Sequence, residues 1–529
     1  MPGASLVIAA MCGAGPVPEV MKPNVEMSTV VPSLPTTRPV MDKGVLEKDS
    51  AFFWSAPAGK RGRKPPYKPV QGGFSASVDG AKSNWDGRYN HWLIFENNQI
   101  YVADRPVARI TSVVYSAMYG NHGTFPITGV NIEDVLPQGT AFVTLGSMRF
   151  AIEAAGKTVW LDKYPQIDAT YKAGLAMWRC VNPGQNIDLT LEIRPNISAR
   201  GAIVRIAVNH APKAASLKVF YGAVGFDKQP YANFSYSVPD NTPNPPNQIT
   251  CFGHYAQITS PRLTKAVVFV GVSGVDGTTD TAPENVFDLA NGAISPDSGN
   301  NAEQSRKCAK IIAPLATGKK LYVISVWGAK DYDQAKAEEI RKKLNPAAIS
   351  QPYHDIVWNS WFDNFIGKQL NPEAKFHKLF SAPDSAWSEA DNFWADRERR
   401  WRIKTPSAAF NSTGNWVGQT LEYFRQPPGY MVGQLQWNGY GHLTSGWNAL
   451  GVMGDNEQLA LFLETYAAMR QNPTPEGGDW KNTTGGKEIQ WVFLDFDTTI
   501  SEPLNAPFLD HVWTSWQWTG DKKWLRAMW

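Results

Sequence analysis

The chain has 529 residues, with 51 Lys and Arg against 48 Asp and Glu, a formal net charge of +3. That length allows two or more domains with sizeable cores, and hydrophobic residues at 43% are ordinary for a globular protein. So small a charge on so long a chain gives no field of the kind that nucleic acid or an anionic membrane demands, and no apolar run reaches the roughly 18 residues of a transmembrane helix.

The opening MPGASLVIAAMCGAGPVPEV carries an apolar run from Leu6 to Cys12 with no Lys or Arg before it. It resembles the tail of a signal peptide that lacks its basic start, ending in small residues with a poor lipoprotein cleavage box at Cys12. This predicts a periplasmic or secreted protein; the other reading is a disordered leader. Residues 13 to about 72 are rich in Pro, Gly and charge, including KRGRKPPYK at Lys60 to Lys68. The prolines and the solvation of the charges favour a surface linker over a nucleic-acid patch, so residues 1–72 are expected to be leader and disordered linker.

From residue 73 to 330 the pattern has period two. NIDLTLEIR puts Ile187, Leu189, Leu191 and Ile193 on one side and Asp188, Thr190, Glu192 and Arg194 on the other, the mark of a half-buried antiparallel strand. IVRIAVNH, LKVFYGA, KAVVFVGVSG and KLYVISVWG repeat the theme between Gly, Pro, Asn and Asp breaks, which predicts a large antiparallel β-sandwich. AIEAAGKT nearly matches a phosphate-binding loop, but position 151 is Ala and VWL does not continue as a helix, so Ala155-Gly156-Lys157 is read as a hairpin turn.

The period then changes. Residues 331–384 are expected to be linker helices, with Asp333 capping QAKAEEIRKKL and HDIVWNSWFDNFI docking through Trp358, Trp361, Phe362 and Phe365. Asp384 or Ser385 is the expected cap of SAWSEADNFWADRERRWR, in which Trp394, Arg397 and Trp401 read as core and rim. An internal repeat follows: Leu443, Trp447, Gly454, Asp455 and Leu459 recur 66 positions later as Leu509, Trp513, Gly520, Asp521 and Leu525. The Gly-Asp step is structural, since Gly ends one helix in the left-handed conformation and Asp caps the next. Helical repeats normally need at least three units to bury their stripes, and Trp524, Leu525, Met528 and Trp529 present a stripe at the chain end. The expectation is therefore an N-terminal fragment of a protein with more hairpins.

A β-sandwich, linker helices and helical hairpins with a W-x6-G-D turn together resemble the six-hairpin glycosidases, among them rhamnosidase-like, fucosidase-like and disaccharide-phosphorylase families. WDGRYNHWLIF, Trp85 to Phe95, also resembles a G-R-Y-N motif of an uncharacterised bacterial family of this architecture, although His91-Trp92 departs from the Arg-Pro that follows in that family. The resemblance extends over about residues 73 to 529. It implies an (α/α)6 toroid whose first part is residues 385–529, and cleavage of a glycosidic bond in an oligosaccharide or polysaccharide, by hydrolysis or phosphorolysis. The chemistry would use two carboxyl groups, which inverting enzymes hold roughly 6.5 to 9.5 Å apart. No cofactor and no metal is implied.

Independently of that likeness, carboxylates gather in the long stretch from Gly477 to Pro507 between the two repeats. Alternation in IQWVFLDFD puts Trp491, Phe493, Asp495 and Asp497 on one side. Aromatic rings desolvate a carboxyl and a second acid nearby raises one of the pair further, as a general acid requires. Asp497 or Asp495 is the expected acid, with Glu502 and Glu488 behind them; the other catalytic carboxylate is expected beyond residue 529, leaving residues 1–529 inactive alone. Trp491, Trp437, Tyr440, His442 and Trp480 are the expected sugar-binding residues. With 21 Trp in the chain, stacking on sugar rings is a natural use of the aromatic excess, as are large cores.

Cys12, Cys180, Cys251 and Cys308 show neither a zinc spacing nor a disulfide framework, and neither H-E-x-x-H nor G-x-S-x-G occurs. The rival reading is a carbohydrate-binding or scaffold protein without catalysis. A polysaccharide lyase fits less well, because those enzymes usually place helices first and the candidate loop has no Arg or Lys cluster to neutralise a uronate.

Overall fold

The computed structural model describes residues 67–79, 91–95, 98–102, 110–114, 143–225, 247–260, 263–283, 307–330, 335, 367–400, 402–420 and 422, the short segments 425–426, 429–430, 439–440 and 492–493, and 512–513, 516–517 and 520–528. In chain order the first strands are β1 (Tyr67–Val70), β2 (Gly73–Asp79), β3 (His91–Phe95), β4 (Asn98–Val102), β5 (Ile110–Val114), β6 (Val143–Ala154), β7 (Lys157–Trp160), β8 (Gln166–Lys172) and β9 (Leu175–Asn182). They are followed by β10 (Ile187–Pro195), β11 (Gly201–His210), β12 (Ser216–Gly225), β13 (Gln248–Phe252), β14 (Tyr255–Ser260), β15 (Leu263–Ser273), β16 (Thr278–Pro283), β17 (Lys307–Pro314) and β18 (Lys320–Ala329).

Among the described residues these strands form two antiparallel sheets. The ten-stranded sheet runs β1-β2-β8-β9-β10-β11-β18-β15-β14-β13; the other runs β16-β17-β12-β6-β5-β4-β3, with β7 paired to β6. Alternation decides the packing. Ile187, Leu189, Leu191 and Ile193 of β10 are buried together with Phe150, Ile152, Leu217, Val219 and Ile311 of the facing sheet, in one core. Each such side chain contributes about 1.5–3 kcal/mol through removal from water.

The AIEAAGKT segment forms a hairpin as expected. Ala154 pairs with Lys157, and Ala155 and Gly156 stand at φ 52° and 71°. Left-handed conformation at both central residues is what a two-residue turn matched to the twist of its strands requires. At the other extreme, the ten-stranded sheet already starts at Tyr67, inside the stretch expected to be linker. β1 is its edge strand, where Pro69 removes no ladder hydrogen bond that a central strand would need.

Strand β18 is apolar along most of its length and buried on both faces. One face joins the inter-sheet core; the other carries Tyr322, Ile324 and Val326 into a second cluster with Ile203, Val267 and Phe269. Helices α1 (Pro372–Ser381) and α2 (Pro383–Arg400) cover that cluster with Phe376, Leu379, Ala386 and Trp387. Helix α3 (Ala408–Thr420) packs on β1 and β2, where the Ser412 hydroxyl donates to the Gly73 carbonyl.

In α2 the buried side chains Trp387, Ala390, Trp394 and Arg397 recur every three or four residues, so one stripe faces the protein. Trp394 and Arg397 are core and rim, as their spacing suggests, and Trp401 lies outside the described residues. The helix begins at Pro383, a residue suited by its fixed φ to the first helical position. Asp384, expected to be a cap, instead accepts a hydrogen bond from the Tyr322 hydroxyl at 2.5 Å. Because α2 starts at Pro383, Asp384 and Ser385 lie inside its first turn and not at the cap position, which leaves the Asp384 carboxylate to the neighbouring strand.

The expected helices over QAKAEEIRKKL and HDIVWNSWFDNFI lie outside the described residues, apart from position 335, as does most of the repeat between residues 421 and 519. At its second Gly-Asp step the structure matches the expectation. Gly520 has φ 67° and donates to the Trp516 carbonyl at 2.7 Å, and the Asp521 carboxylate accepts the Trp524 N–H at 2.9 Å at the start of α4 (Lys522–Met528). Among the described residues no helix is long and apolar enough to cross a membrane.

Candidate functional site

Downstream of α3, four two-residue strands are described: β19 (Arg425–Gln426), β20 (Gly429–Tyr430), β21 (Gly439–Tyr440) and β22 (Val492–Phe493). β19 and β20 pair antiparallel across Pro427-Pro428, and β20 lies beside β21. β21 pairs antiparallel with β22, with Gly439 opposite Phe493 and Tyr440 opposite Val492. Gly439-Tyr440 and Val492-Phe493, more than fifty positions apart in sequence, therefore meet through their backbones; the first lies within WNGYGH and the second within IQWVFLDFD. Of the residues expected to bind sugar, Tyr440 lies in this pairing. Trp437, His442, Trp480, Glu488, Trp491, Asp495, Asp497 and Glu502 lie outside the described residues.

The elements leading to this pairing are held to the sandwich by charges that the strand and helix patterns conceal. Arg194 on β10 is buried and reaches Asp391 on α2 at 2.5 Å while donating to the Gly174 carbonyl at 3.2 Å. Arg205 on β11 donates to Glu192 at 2.6 Å, and its guanidinium lies 4.1 Å from the Trp387 ring centre. Burial pulls the Arg194 pKa down against the attraction of Asp391. For Arg205, burial is the largest single effect and acts downward, but the hydrogen bond and charge of Glu192, with Tyr322 and Asp391, together outweigh it and the pKa rises. Burial, aided by the bond to Asp384, pushes the Tyr322 hydroxyl up to about 12. Arginine stays protonated in proteins, so Arg194 paired with Asp391 and Arg205 over Trp387 clamp α2 to the sheet as cations.

One carboxylate escaped the sequence reading. Glu422, three residues before β19, is 1% exposed and forms an ion pair with Arg397, its carboxylate 2.5 Å from the Arg397 Nε. This pair ties α2 to the chain just before the four short strands. On the far face of the other sheet, buried Arg149 stands 3.5 Å from Asp162 and 3.9 Å above the Trp160 ring. The signal for the first network was present: in NIDLTLEIR the outward side carries Glu192 and Arg194, and α2 carries acids at Asp384 and Asp391. Nothing in the local pattern says which acid meets which base.

Among the described residues no group of three or more His, Cys, Asp or Glu is arranged to hold a metal ion. Among the described residues Cys180 and Cys308 are buried and Cys251 is exposed, and none of the three is in a disulfide.

A family model described as a domain of unknown function, DUF4450, matches residues 144–230, from within β6 to just past β12. No curated protein matches the chain. Among solved structures, the chain is similar to a family GH92 inverting mannosidase from Bacteroides thetaiotaomicron VPI-5482, at 9% identity and a TM-score of 0.35, over 85% of this chain and 63% of that one. It is also similar to a bacterial glucoamylase complexed with acarbose, at 8% identity and a TM-score of 0.26, over 77% of this chain and 68% of that one. A family GH92 alpha-mannosidase from Bacteroides thetaiotaomicron follows at 9% identity and a TM-score of 0.20, over 84% of this chain and 53% of that one. The chain thus spans less than two thirds of the length of both mannosidases. At this level of likeness the fold rests on the sheets and helices described above.

Proposed function

We propose that the chain is part of a glycoside hydrolase of the periplasm or cell exterior, in which residues 385–529 begin an (α/α)6 toroid and a two-carboxylate mechanism cleaves a glycosidic bond. The observation that supports this reading is the antiparallel pairing of Gly439 and Tyr440 with Phe493 and Val492. It joins the aromatic WNGYGH stretch to the acid-bearing IQWVFLDFD stretch, the combination a sugar site needs: rings to stack on and carboxyl groups to exchange protons.

In this mechanism Asp497 or Asp495 is the general acid, with Glu502 and Glu488 as nearby carboxylates. Trp491, Trp437, Trp480, Tyr440 and His442 hold the sugar. Aromatic neighbours would raise the pKa of the acid by excluding water, and the second acid would raise it further. The partner carboxylate comes from another part of the whole protein.

The test is turnover of a panel of glycosides by the protein made from its complete reading frame. Asp497→Asn or Asp495→Asn is expected to lower turnover roughly 10²- to 10⁴-fold, the usual share of a general acid. Unchanged turnover in both single variants removes the pair from the mechanism.

A further inference from the structure

The β13–β14 hairpin turns at Gly253-His254, with Gly253 at φ 54° and Phe252 paired with Tyr255. The Phe252 ring is 42% exposed, yet it is not loose. It stacks on Tyr255 with centroids 5.0 Å apart and planes 18° from parallel. Tyr255 in turn meets Phe376 at 5.2 Å, and Phe376 stacks on Phe269 at 5.7 Å inside the cluster beneath α1. Phe252 is thus the outer end of a four-ring column rooted in the core.

The sequence makes room for that column. Tyr255 lies opposite Gly271 on β15, where an added Cβ would stand 2.7 Å from the Tyr255 Cβ and 2.8 Å from the Phe380 ring. The same hairpin face carries polar side chains. By strand alternation Thr250 and Gln257, themselves a cross-strand pair, share the face of Phe252 and Tyr255. His377 on α1 stands edge-on to Tyr255 at 5.2 Å, with Glu373 at 3.9 Å from its Nε2.

We propose that this hairpin face is a binding platform for one neutral pyranose unit of a glycan. A pyranose lays its C–H face on Phe252, and Thr250 and Gln257 on the same sheet face, with His377 beside Tyr255, offer the hydroxyl, amide and imidazole groups that sugar hydroxyls need. A protein partner fits poorly. Specific protein interfaces bury at least about 1,200 Å², whereas Phe252 is the one exposed large hydrophobic side chain of this hairpin, and the others among the described residues, Phe410 and Trp513, lie on other elements. The ligand class rests on the carbohydrate reading above; the site does not depend on hydrolysis.

The test is affinity electrophoresis of the whole chain through native gels containing soluble mannan, glucan, xylan or galactan. Retardation is expected with at least one polysaccharide, weakened about tenfold by Phe252→Ala, as loss of a stacking contact implies, and kept by Phe252→Trp. Gln257→Ala, which leaves the ring column intact, is expected to weaken it as well. Absence of retardation in all four gels, or retardation unchanged by Phe252→Ala, overturns the platform. The two readings separate cleanly: Phe252-dependent retardation without glycoside turnover would sink hydrolysis alone, and turnover with Phe252-independent retardation would sink the platform alone.

Discussion

The Trp394 ring of α2 lies against the turn at Gly174 between β8 and β9, where a Cβ built on the glycine would stand 1.9 Å from the Trp394 Cε2. Gly174 also has φ 62°, so the position excludes a side chain both by backbone conformation and by contact. Helix and hairpin meet here with no room for a methyl group. Gly174→Ala is therefore expected to destabilise the protein by at least about 2 kcal/mol, combining left-handed strain with overpacking. Chemical denaturation checks this, and loss of Trp394 burial should appear as a red-shifted tryptophan emission.

The Arg194–Asp391 pair crosses from sheet to helix 197 residues apart in sequence. Asp391 is 45% exposed on its side chain while Arg194 is 10% exposed, so solvent screens one partner and not the other. Asp391→Ala leaves a buried guanidinium with less compensation and is expected to cost about 1–3 kcal/mol. Replacing both residues, Arg194→Met with Asp391→Leu, should restore part of that loss. A double-mutant cycle in urea measures the coupling.

Lys375 on α1 donates to the Gly367 carbonyl and, at 2.7 Å, to the Leu370 carbonyl. Burial, then the positive charges of Arg200 and Lys368, bring its pKa from 10.5 down to about 8. Its folded pKa lies below the unfolded one, so the unfolded chain binds more protons between these two values. Stability contributed at this site rises as pH climbs through that window. Compared with Lys375→Met, the wild-type protein is expected to gain stability as pH rises from about 8 to 10.5. Denaturation midpoints of the two proteins at several pH values test the sign.

Helices α1 and α2 cover an apolar outer sheet face that includes Ile203, Val267, Phe269, Ile324 and Val326. A chain cut after Ala329 bares that face and is expected to aggregate or bind a hydrophobic dye. A chain ending at residue 424 keeps the cover. Size-exclusion chromatography and dye fluorescence of the two truncations distinguish them.

At the second Gly-Asp turn, Asp521 holds the Trp524 amide. Asp521→Ala is expected to weaken the start of α4 by about 1 kcal/mol, while Asp521→Ser keeps most of the cap. Hydrogen exchange at the Trp524 amide reads this locally: faster in the alanine variant, near wild type in the serine one.

Features that depend on near neighbours were legible in the residues alone. The inward side of NIDLTLEIR, the Ala155-Gly156 hairpin and the Gly520-Asp521 turn follow from strand alternation and from backbone conformations that few residues accept. The Trp394 and Arg397 stripe follows in the same way from helical spacing. The membership of Tyr67–Val70 in the sheet did not follow, because composition marks proline and charge as linker and cannot see that an edge strand tolerates both.

Tertiary structure decided what local pattern leaves open: which distant groups meet. Asp384 could cap its helix or serve a strand, and only the fold brings the Tyr322 hydroxyl to it. Glu422 is an ordinary acid in sequence and a buried partner of Arg397 in space. Tyr440 and Val492 become neighbours across 52 positions through the backbone pairing of their strands. Periodicity is a one-dimensional record of which side of an element faces the core, so sequence by itself determined the local turns and the inward faces of strands such as β10; the choice of long-range partner depends on how those elements pack, and that choice built the strand order of the sheets, the clamp, the ring column under Phe252 and the junction of the candidate site.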